Sequence, residues 1–330
     1  MNAFTYKRAT SVDDALISIG APPDSKFIGG GTNLIDLMKM GVEHPANLID
    51  VSRLPLTNIE PHGDGTRIEG MVRNSAVVNH PLILERYPVL AMAILAGASP
   101  QIRNMATVAG NLLQRTRCFY FYDPSYRECN KRNPESGCAA VAGFNRIHAI
   151  LGTSEHCIAS HPSDMAVALA ALEAMVQVKS VRGERSISMA DFYRLPGNTP
   201  QVETTLQHGE LITSIDLPAP FGKGSHYLKV RDRNSYAFAL VSVAAVVELD
   251  ESKRIRKARI ALGGVAARPW RVPEAEHIMI GKEPNEATFK QAAYVLVQGA
   301  KPHRYNGFKV ELARRSVVRA LSIASGNSNA

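Results

Sequence analysis

KFIGGGTNL, residues 26–34, joins a short strand pattern to a helix pattern through three consecutive glycines. The helix pattern covers Leu34–Met40, and a second helix pattern with a serine before it covers Ser11–Ile19. Further strand patterns lie at Phe4–Tyr6 and Asn47–Val51. Together they predict a small β-α-β unit with a glycine turn at the end of its middle strand.

The glycine turn has two interpretations. Backbone N–H groups in such a turn can approach an anion such as a pyrophosphate closely, but the glycines alone also suit a plain tight turn. No Gly-Lys-Ser/Thr follows, so the turn is not a P-loop. Gly29, Gly31 and Asp50 match half of a Rossmann fingerprint, but Leu34 stands where the third glycine belongs. A nicotinamide dinucleotide is therefore not favoured.

All four cysteines of the chain lie within Arg117–His161. They are Cys118, Cys129, Cys138 and Cys157, separated by ten, eight and eighteen residues. No C-x-x-C pair occurs, so the usual zinc-ribbon signature is absent. The segment is rich in Pro, Gly, Asn and Ser, which predicts a long loop that needs an internal tie.

The thiols allow three interpretations: four unrelated cysteines, two disulfides, or four thiolates around an iron–sulfur cluster or a zinc ion. Residues 1–16 carry four charged side chains and no apolar core of a secretory signal, which disfavours disulfides. A metal site is favoured, with iron–sulfur ahead of zinc. Nearby cations would help to hold several thiolates. They are Arg117, Lys131, Arg132 and Arg146.

Composition is ordinary for a soluble globular protein, with 45% hydrophobic and 21% charged residues in 330. That length predicts two or three domains. The net charge is +8, but Lys and Arg are mixed with acidic residues and no nucleic-acid motif accompanies them. A solvated face or a surface for an acidic partner is favoured over nucleic-acid binding. The apolar runs are too short to span a membrane.

The rest of the chain divides at a Pro- and Gly-rich piece between residues 218 and 224. Before it, an apolar helix is predicted at Tyr87–Ala96, a loop of small and polar residues at Gln101–Asn111, and another apolar helix at Met165–Leu172. After it, an α+β domain is predicted. Its elements are antiparallel strands at Ser225–Arg231, Ala237–Glu248 and Ile255–Gly263, and helices at Glu286–Val297 and Phe308–Ala324.

Four motifs together resemble the FAD-binding medium subunits of molybdenum hydroxylases, the group of xanthine dehydrogenase, aldehyde oxidase and carbon monoxide dehydrogenase. They are residues 26–34, Leu48–Val51, Ala106–Asn111 and Ser163–Asp164. The resemblance covers the whole chain and implies an α+β fold. Residues 1–55 and 56–220 would form a two-part FAD-binding domain of the PCMH (vanillyl-alcohol-oxidase-like) type. Residues 224–325 would form a CO-dehydrogenase-flavoprotein-like C-terminal domain with a three-stranded antiparallel sheet and helices.

The cysteine segment is similar to that of the FAD subunit of bacterial periplasmic aldehyde oxidoreductases, which carries an additional [4Fe–4S] cluster. The FAD subunit of 4-hydroxybenzoyl-CoA reductases carries one as well. The resemblance implies a cluster loop at residues 112–161 with Cys118, Cys129, Cys138 and Cys157 as ligands. It also implies a large molybdenum-cofactor subunit and a small subunit with two [2Fe–2S] clusters as partners.

The resemblance assigns the FAD contacts residue by residue, with the glycine stretch around the pyrophosphate and Asp164 near the isoalloxazine. The contacts are Lys26, Phe27, Ile28, Gly29, Gly30, Gly31, Thr32, Asn33, Leu34, Thr107, Gly110, Asn111, Asp164, Ile212 and Lys229. No catalytic acid or base is expected in this chain, because the flavin carries the chemistry.

The expected function is electron transfer within an aldehyde oxidoreductase. Electrons from the molybdenum subunit would pass through the [2Fe–2S] centres to FAD and then to an acceptor other than NAD. The chain would reach the periplasm with a small subunit that bears a twin-arginine signal, the alternative being the cytoplasm. A 4-hydroxybenzoyl-CoA reductase-like subunit and a zinc- and nucleotide-binding module without turnover are the alternative functions.

Overall fold

The N-terminal part of the chain is a parallel β-α-β unit, as predicted. The computed structural model describes residues 1–20, 22–222 and 224–326. The first elements are β1 (Thr5–Arg8), α1 (Val12–Ile19), β2 (Ser25–Ile28), α2 (Leu34–Lys39) and β3 (Asn47–Asp50). The strands are parallel in the order β1-β3-β2. Ser11 caps α1 by accepting a hydrogen bond from the N–H of Asp14 at 3.0 Å.

The middle of the chain forms an antiparallel sheet with short helices around it. Its elements are β4 (Ile59–His62), β5 (Gly65–Glu69), α3 (Asn74–Asn79), α4 (Pro81–Arg86), α5 (Pro88–Ala96), α6 (Pro100–Met105), α7 (Val108–Leu112), α8 (Phe119–Tyr122), α9 (Ala139–Ala142), α10 (Asp164–Ala171), β6 (Met175–Ser180), β7 (Gly183–Ser188), α11 (Met189–Phe192) and β8 (Leu211–Leu217). The strand order is β4-β5-β8-β6-β7, and every pairing is antiparallel.

The prediction of a loop at Gln101–Asn111 is wrong. That stretch lies in α6 and α7, which are separated by two residues. The Ser99 and Thr107 hydroxyls accept hydrogen bonds from the N–H groups of Ile102 and Gly110, so each side chain caps the helix that follows it. Local capping therefore outweighs the small and polar composition that suggested a loop. The cysteine segment is mostly loop, as predicted, with only the short α8 and α9 inside it.

The C-terminal part has the predicted three-stranded antiparallel sheet. It contains β9 (Gly224–Val230), β10 (Val241–Leu249), β11 (Ile255–Gly263), α12 (Pro273–His277), α13 (Glu286–Leu296) and α14 (Phe308–Ala324), with strand order β11-β10-β9. The central strand begins at Val241 rather than at Ala237, because residues 232–236 form a bend before it. α14 packs on β10 and β9, and α13 packs on α14.

Three apolar clusters hold these parts together. The largest lies in the first two parts of the chain, and the second lies beneath the C-terminal sheet. α10 contacts α5 on one side and β10 and β11 on the other, so it joins the middle part to the C-terminal part. The third cluster gathers the cysteines around Leu37 and Phe121. No helix in the described ranges is long and apolar enough to cross a membrane.

Candidate cofactor site

The glycine turn is packed so tightly that only glycine fits at its centre. A Cβ atom on Gly30 would lie 2.0 Å from the carbonyl oxygen of Met105, which is backbone and cannot rotate away. Gly31 has a φ of +71°, in the left-handed region that glycine adopts without strain. The turn therefore presses its backbone against the end of α6 and leaves its other face open. α2 has only six residues, so the backbone N–H groups of the turn matter more than a helix dipole.

Two cavities meet at this turn. One has a volume of about 860 Å³ and the other about 440 Å³. Both are lined by Thr32, Asn33 and Gly110, so the turn and the start of α7 form their common wall. FAD consists of two ring systems joined by a pyrophosphate, and two cavities that share a wall at the end of the glycine turn fit that shape.

The FAD contacts assigned by resemblance divide between these cavities. Residues 26–34 all line the smaller cavity, together with Thr107, Gly110 and Ile212. Asn111, Asp164 and Lys229 line the larger one. Residues far apart in the chain thus surround one continuous space.

Asp164 lies at the first turn of α10 in a buried ion pair. Its carboxylate accepts hydrogen bonds from Lys229 Nζ and from the Tyr227 hydroxyl, both at 2.7 Å. The side chains of Asp164 and Lys229 are 8% and 5% exposed. Lys229 also donates to the carbonyl of Ala96 at 3.0 Å. Burial, and then the neighbouring Asp164, raise the pKa of Tyr227 well above its ordinary value, so its phenol stays a donor.

The larger cavity also contains polar atoms that need a partner. Among the described residues, Asn74 Oδ1 and His161 Nε2 are buried without a hydrogen bond, and both residues line this cavity. Asn111 Oδ1, in contrast, accepts from Ser163 at 2.6 Å and from Gln114 at 2.9 Å. This leaves the amide N–H groups of Asn111 as its contribution to a ligand. Buried unsatisfied groups are costly, so the cavity suits a ligand with several polar atoms such as FAD.

The four cysteines gather in one cluster although they span forty positions of the chain. All four are free thiols, and only Cys138 is more than slightly exposed. Cys129 and Cys138 lie opposite each other in an antiparallel bridge. Burial and the neighbouring thiols raise the pKa of Cys118 to about 12, and burial raises that of Cys157 to about 11. Burial therefore keeps the free thiols protonated, and a bound metal ion would have to displace those protons.

The four thiols are not arranged around a single metal ion. Within the described ranges, no three His, Cys, Asp or Glu side chains are placed to hold one. In a [4Fe–4S] cube each thiolate binds its own iron, so its four sulfurs stand further apart than those around one ion. The structure therefore gives no support to the zinc alternative.

Lys131 is the nearby cation that acts on a thiol, because it lowers the pKa of Cys157 against the larger effect of burial. Arg132 instead donates to the backbone carbonyls of Tyr120 and Phe121 at 2.6 and 2.8 Å. Arg146 pairs with Asp232 at 2.7 Å. Of the four cations expected to help hold the thiolates, Lys131 is thus the one that lowers the pKa of a thiol.

A buried ionic network joins the glycine stretch to the cysteine loop. Glu43 binds both Lys26 and Arg115. Arg115 reaches Glu203 at 2.8 Å, and Glu203 accepts from Lys131 at 2.6 Å. Burial by itself raises the pKa of Glu203, but Lys131 and Arg115 outweigh it and lower that pKa to about 2. β2 and the cluster loop are therefore coupled by paired charges as well as by packing.

Several of these residues were missed by sequence reasoning. Asn74 and Glu203 stand in stretches without a motif, and only packing brings them to the site. Tyr227 stands two residues before the assigned contact Lys229, but its bond to Asp164 is visible only in the fold. His148 was also missed, although it lies inside the cysteine segment. A histidine among four cysteines is a pattern that sequence reasoning can find.

Comparisons with known proteins match the chain over nearly its whole length. Residues 2–220 match the family described as "FAD binding domain in molybdopterin dehydrogenase", and residues 226–324 match the "CO dehydrogenase flavoprotein C-terminal domain". The chain is 50% identical over 327 residues to the aldehyde oxidoreductase FAD-binding subunit PaoB of Escherichia coli K12, covering 98% of this chain and 99% of that one. It is 31% identical to the nicotine 6-hydroxylase medium subunit of Paenarthrobacter nicotinovorans, covering 96% and 97%. Among solved structures, CO dehydrogenase from Oligotropha carboxidovorans shares the fold, with a TM-score of 0.77, 23% identity and 99% of each chain covered.

Proposed function

Because this chain belongs to the FAD-binding medium subunits of the molybdenum hydroxylases, an oxidoreductase family, we propose that it is the FAD- and [4Fe–4S]-carrying electron-transfer subunit of an aldehyde oxidoreductase. The observation that carries the proposal is a pair of cavities meeting at the glycine turn, next to four clustered thiols. The name of the 50% identical relative supports the aldehyde as substrate of the complex.

Residues 29–33 would hold the FAD pyrophosphate with their backbone N–H groups, since all five line the smaller cavity and Thr32 and Asn33 also line the larger one. Asn74, Asn111 and the Asp164–Lys229 pair would surround the isoalloxazine in the larger cavity. When bound, FAD supplies a two-electron store that can be filled one electron at a time. The protein's part is to fix the ring, to exclude water, and to keep a buried lysine beside it through Asp164.

Cys118, Cys129, Cys138 and Cys157 would ligate the cube, and the cube would close the loop between α7 and α10. Both ends of that loop line the larger cavity, at Cys118 and at Ser163. We assign the cube a structural role at the flavin site, since electrons would enter FAD from [2Fe–2S] centres on another subunit.

The proposed partners are a large molybdenum-cofactor subunit and a small subunit with two [2Fe–2S] clusters. The names of relatives support this, because several are medium subunits or chains of larger enzymes. The proposed acceptor is not NAD, because Leu34 replaces the third glycine of a dinucleotide fingerprint. Rapid formation of NADH by the assembled complex with an aromatic aldehyde would refute this.

The cofactors are tested on the purified full chain. We expect a flavin absorption spectrum and about four irons with acid-labile sulfide per chain. A chain without flavin bands would overturn the function. One zinc and no iron would favour a binding module that uses its glycine turn without turnover.

We further propose that the chain resides in the periplasm, exported folded with a small subunit that bears a twin-arginine signal. Folded export suits a subunit that must receive FAD and a cluster first. Cell fractionation with the signal-bearing subunit co-expressed should find the chain in the periplasm. Recovery in the cytosol would reverse this proposal.

A further inference from the structure

His148 contacts one of the four thiols directly. Its Nε2 lies 3.1 Å from Cys118 Sγ, and the residue is 1% exposed. The contact is buried and joins positions thirty residues apart in the chain. The other three cysteines show no comparable histidine contact in the hydrogen bonds of the described residues.

The proton on the His148 ring can be placed from its surroundings. His148 is buried, so a ring N–H needs a hydrogen-bond partner inside the protein. Nδ1 has no hydrogen-bond partner among the described residues. A thiolate is only an acceptor. A proton on Nε2 therefore makes a hydrogen bond to sulfur, whereas a proton on Nδ1 would leave a buried N–H unsatisfied and set two lone pairs against each other.

The C-terminal part of the chain holds this ring in place. The backbone carbonyl of His148 accepts from Lys309 Nζ at 2.8 Å and from Asn306 Nδ2 at 3.3 Å. Its N–H donates to the carbonyl of Asn145 at 3.0 Å. Lys309 is fully buried. The backbone that carries the ring is thus held from α14 and from Asn306 just before it, by groups that make no hydrogen bond to a thiol.

We infer that His148 donates a hydrogen bond to the Cys118 thiolate of the cluster and thereby raises the cluster's reduction potential. The inference rests on the proposed [4Fe–4S] cluster. Reduction adds negative charge that is shared by the ligand sulfurs, so a donor to sulfur stabilises the reduced form more than the oxidised form. His148 would change the reduction potential without being a ligand, because it acts on the cluster through its hydrogen bond to Cys118.

The first test uses the wild-type full chain labelled with ¹⁵N-histidine. Pulsed EPR of the reduced cluster should show coupling to a histidine nitrogen. His156, exposed and next to Cys157, is the matched control. The coupling should persist in His156→Gln and vanish in His148→Phe. A wild type that contains iron but shows no coupling overturns the inference and leaves the cluster standing. A wild type without iron overturns both.

The second test measures the midpoint potential by EPR-monitored redox titration, after iron and sulfide have been counted in each variant. His148→Phe keeps a ring but removes the donor, so its potential should be more negative than that of the wild type. His148→Gln restores an amide donor and should recover part of the shift. Equal potentials in the wild type and in an iron-loaded His148→Phe variant would overturn the inference. If His148→Phe loses its iron, the ¹⁵N coupling in the wild type decides the question.

Discussion

At the scale of single residues, Gly30 is the position of the candidate site that has no room for a side chain. Its α-carbon faces the backbone of Met105, so the clash of an added methyl group can be relieved only by moving the turn or α6. Both of those elements line the proposed FAD site. The glycine is therefore required by packing and not only by turn geometry.

Gly30→Ala should lose most of its FAD, because the turn that would hold the pyrophosphate must shift. The measurement is the ratio of flavin to protein absorbance in the purified chain, with the melting temperature as a second readout. Gly307→Ala is the matched control, since a Cβ there meets no atom within 4 Å. Full FAD occupancy in Gly30→Ala would show that the turn does not contact the cofactor.

At the scale of elements, the cluster loop is the part whose order would depend on the proposed [4Fe–4S] cluster. It contains only two four-residue helices, and its own apolar cluster is small. Metal-ligand bonds would take the place of a larger core. The same loop is tied to α2, because Asn33 accepts from the N–H of Arg115 at 2.8 Å and its amide donates to Tyr122 at 3.2 Å.

Cys129→Ser should lower FAD occupancy and complex assembly in addition to iron content, since releasing the loop disturbs both of its ends at the flavin cavity. Iron, flavin and co-purifying subunits are counted in the same preparation. Ser125→Ala, an exposed change in the same loop, should alter none of them. A variant that lacks iron, keeps full FAD and assembles would exclude the structural role. Normal turnover in that variant would also place the cube outside the essential electron path.

The ionic network between β2 and the cluster loop predicts an acid-sensitive step. The pKa of Glu203 in the folded chain, about 2, lies below its ordinary value of 4.5. Glu203 therefore contributes stability above pH 4.5, and that contribution is lost as the pH falls toward 2. In Glu203→Gln the melting temperature should be lower at neutral pH and should fall less steeply below pH 4.5. Melting can be followed by the fluorescence of Trp270, with the exposed Glu251→Gln as control. Parallel pH profiles of the wild type and Glu203→Gln would contradict the assignment.

At the scale of the whole molecule, Lys309 connects the C-terminal part to the cluster segment. It lies in α14 and donates to the carbonyls of Ile147, His148 and Gly264 at 3.3, 2.8 and 2.6 Å. These bonds reach from α14 to the backbone of the cysteine segment and of the residue after β11. The lysine therefore helps to set how the two parts fit together.

Lys309→Met should lower the melting temperature of the chain, because it removes the donor to the buried Gly264 carbonyl, and one such unsatisfied group costs about 1–3 kcal/mol. The comparison is Lys290→Met, whose side chain is 67% exposed and pairs within its own helix. That change should be close to neutral. If both variants have the same melting temperature as the wild type, Lys309 does not hold the two parts together.

The sequence assigned the candidate FAD contacts only through its resemblance to a family. By itself it determined the β-α-β unit, the three-stranded antiparallel sheet and the four candidate cluster ligands. These follow from local properties: apolar periodicity, glycine in a turn, and four thiols in one loop. The helices α6 and α7 were misjudged at the same local level, because the caps at Ser99 and Thr107 were read as loop residues.

Only the tertiary structure decided what those local pieces do together. Asp164 meets Tyr227 and Lys229 from more than sixty positions further along the chain, and His148 meets Cys118 across thirty. The two cavities share a wall because α7 packs beside the glycine turn. A local pattern carries no information about such pairings, because they depend on which faces of distant elements bury each other.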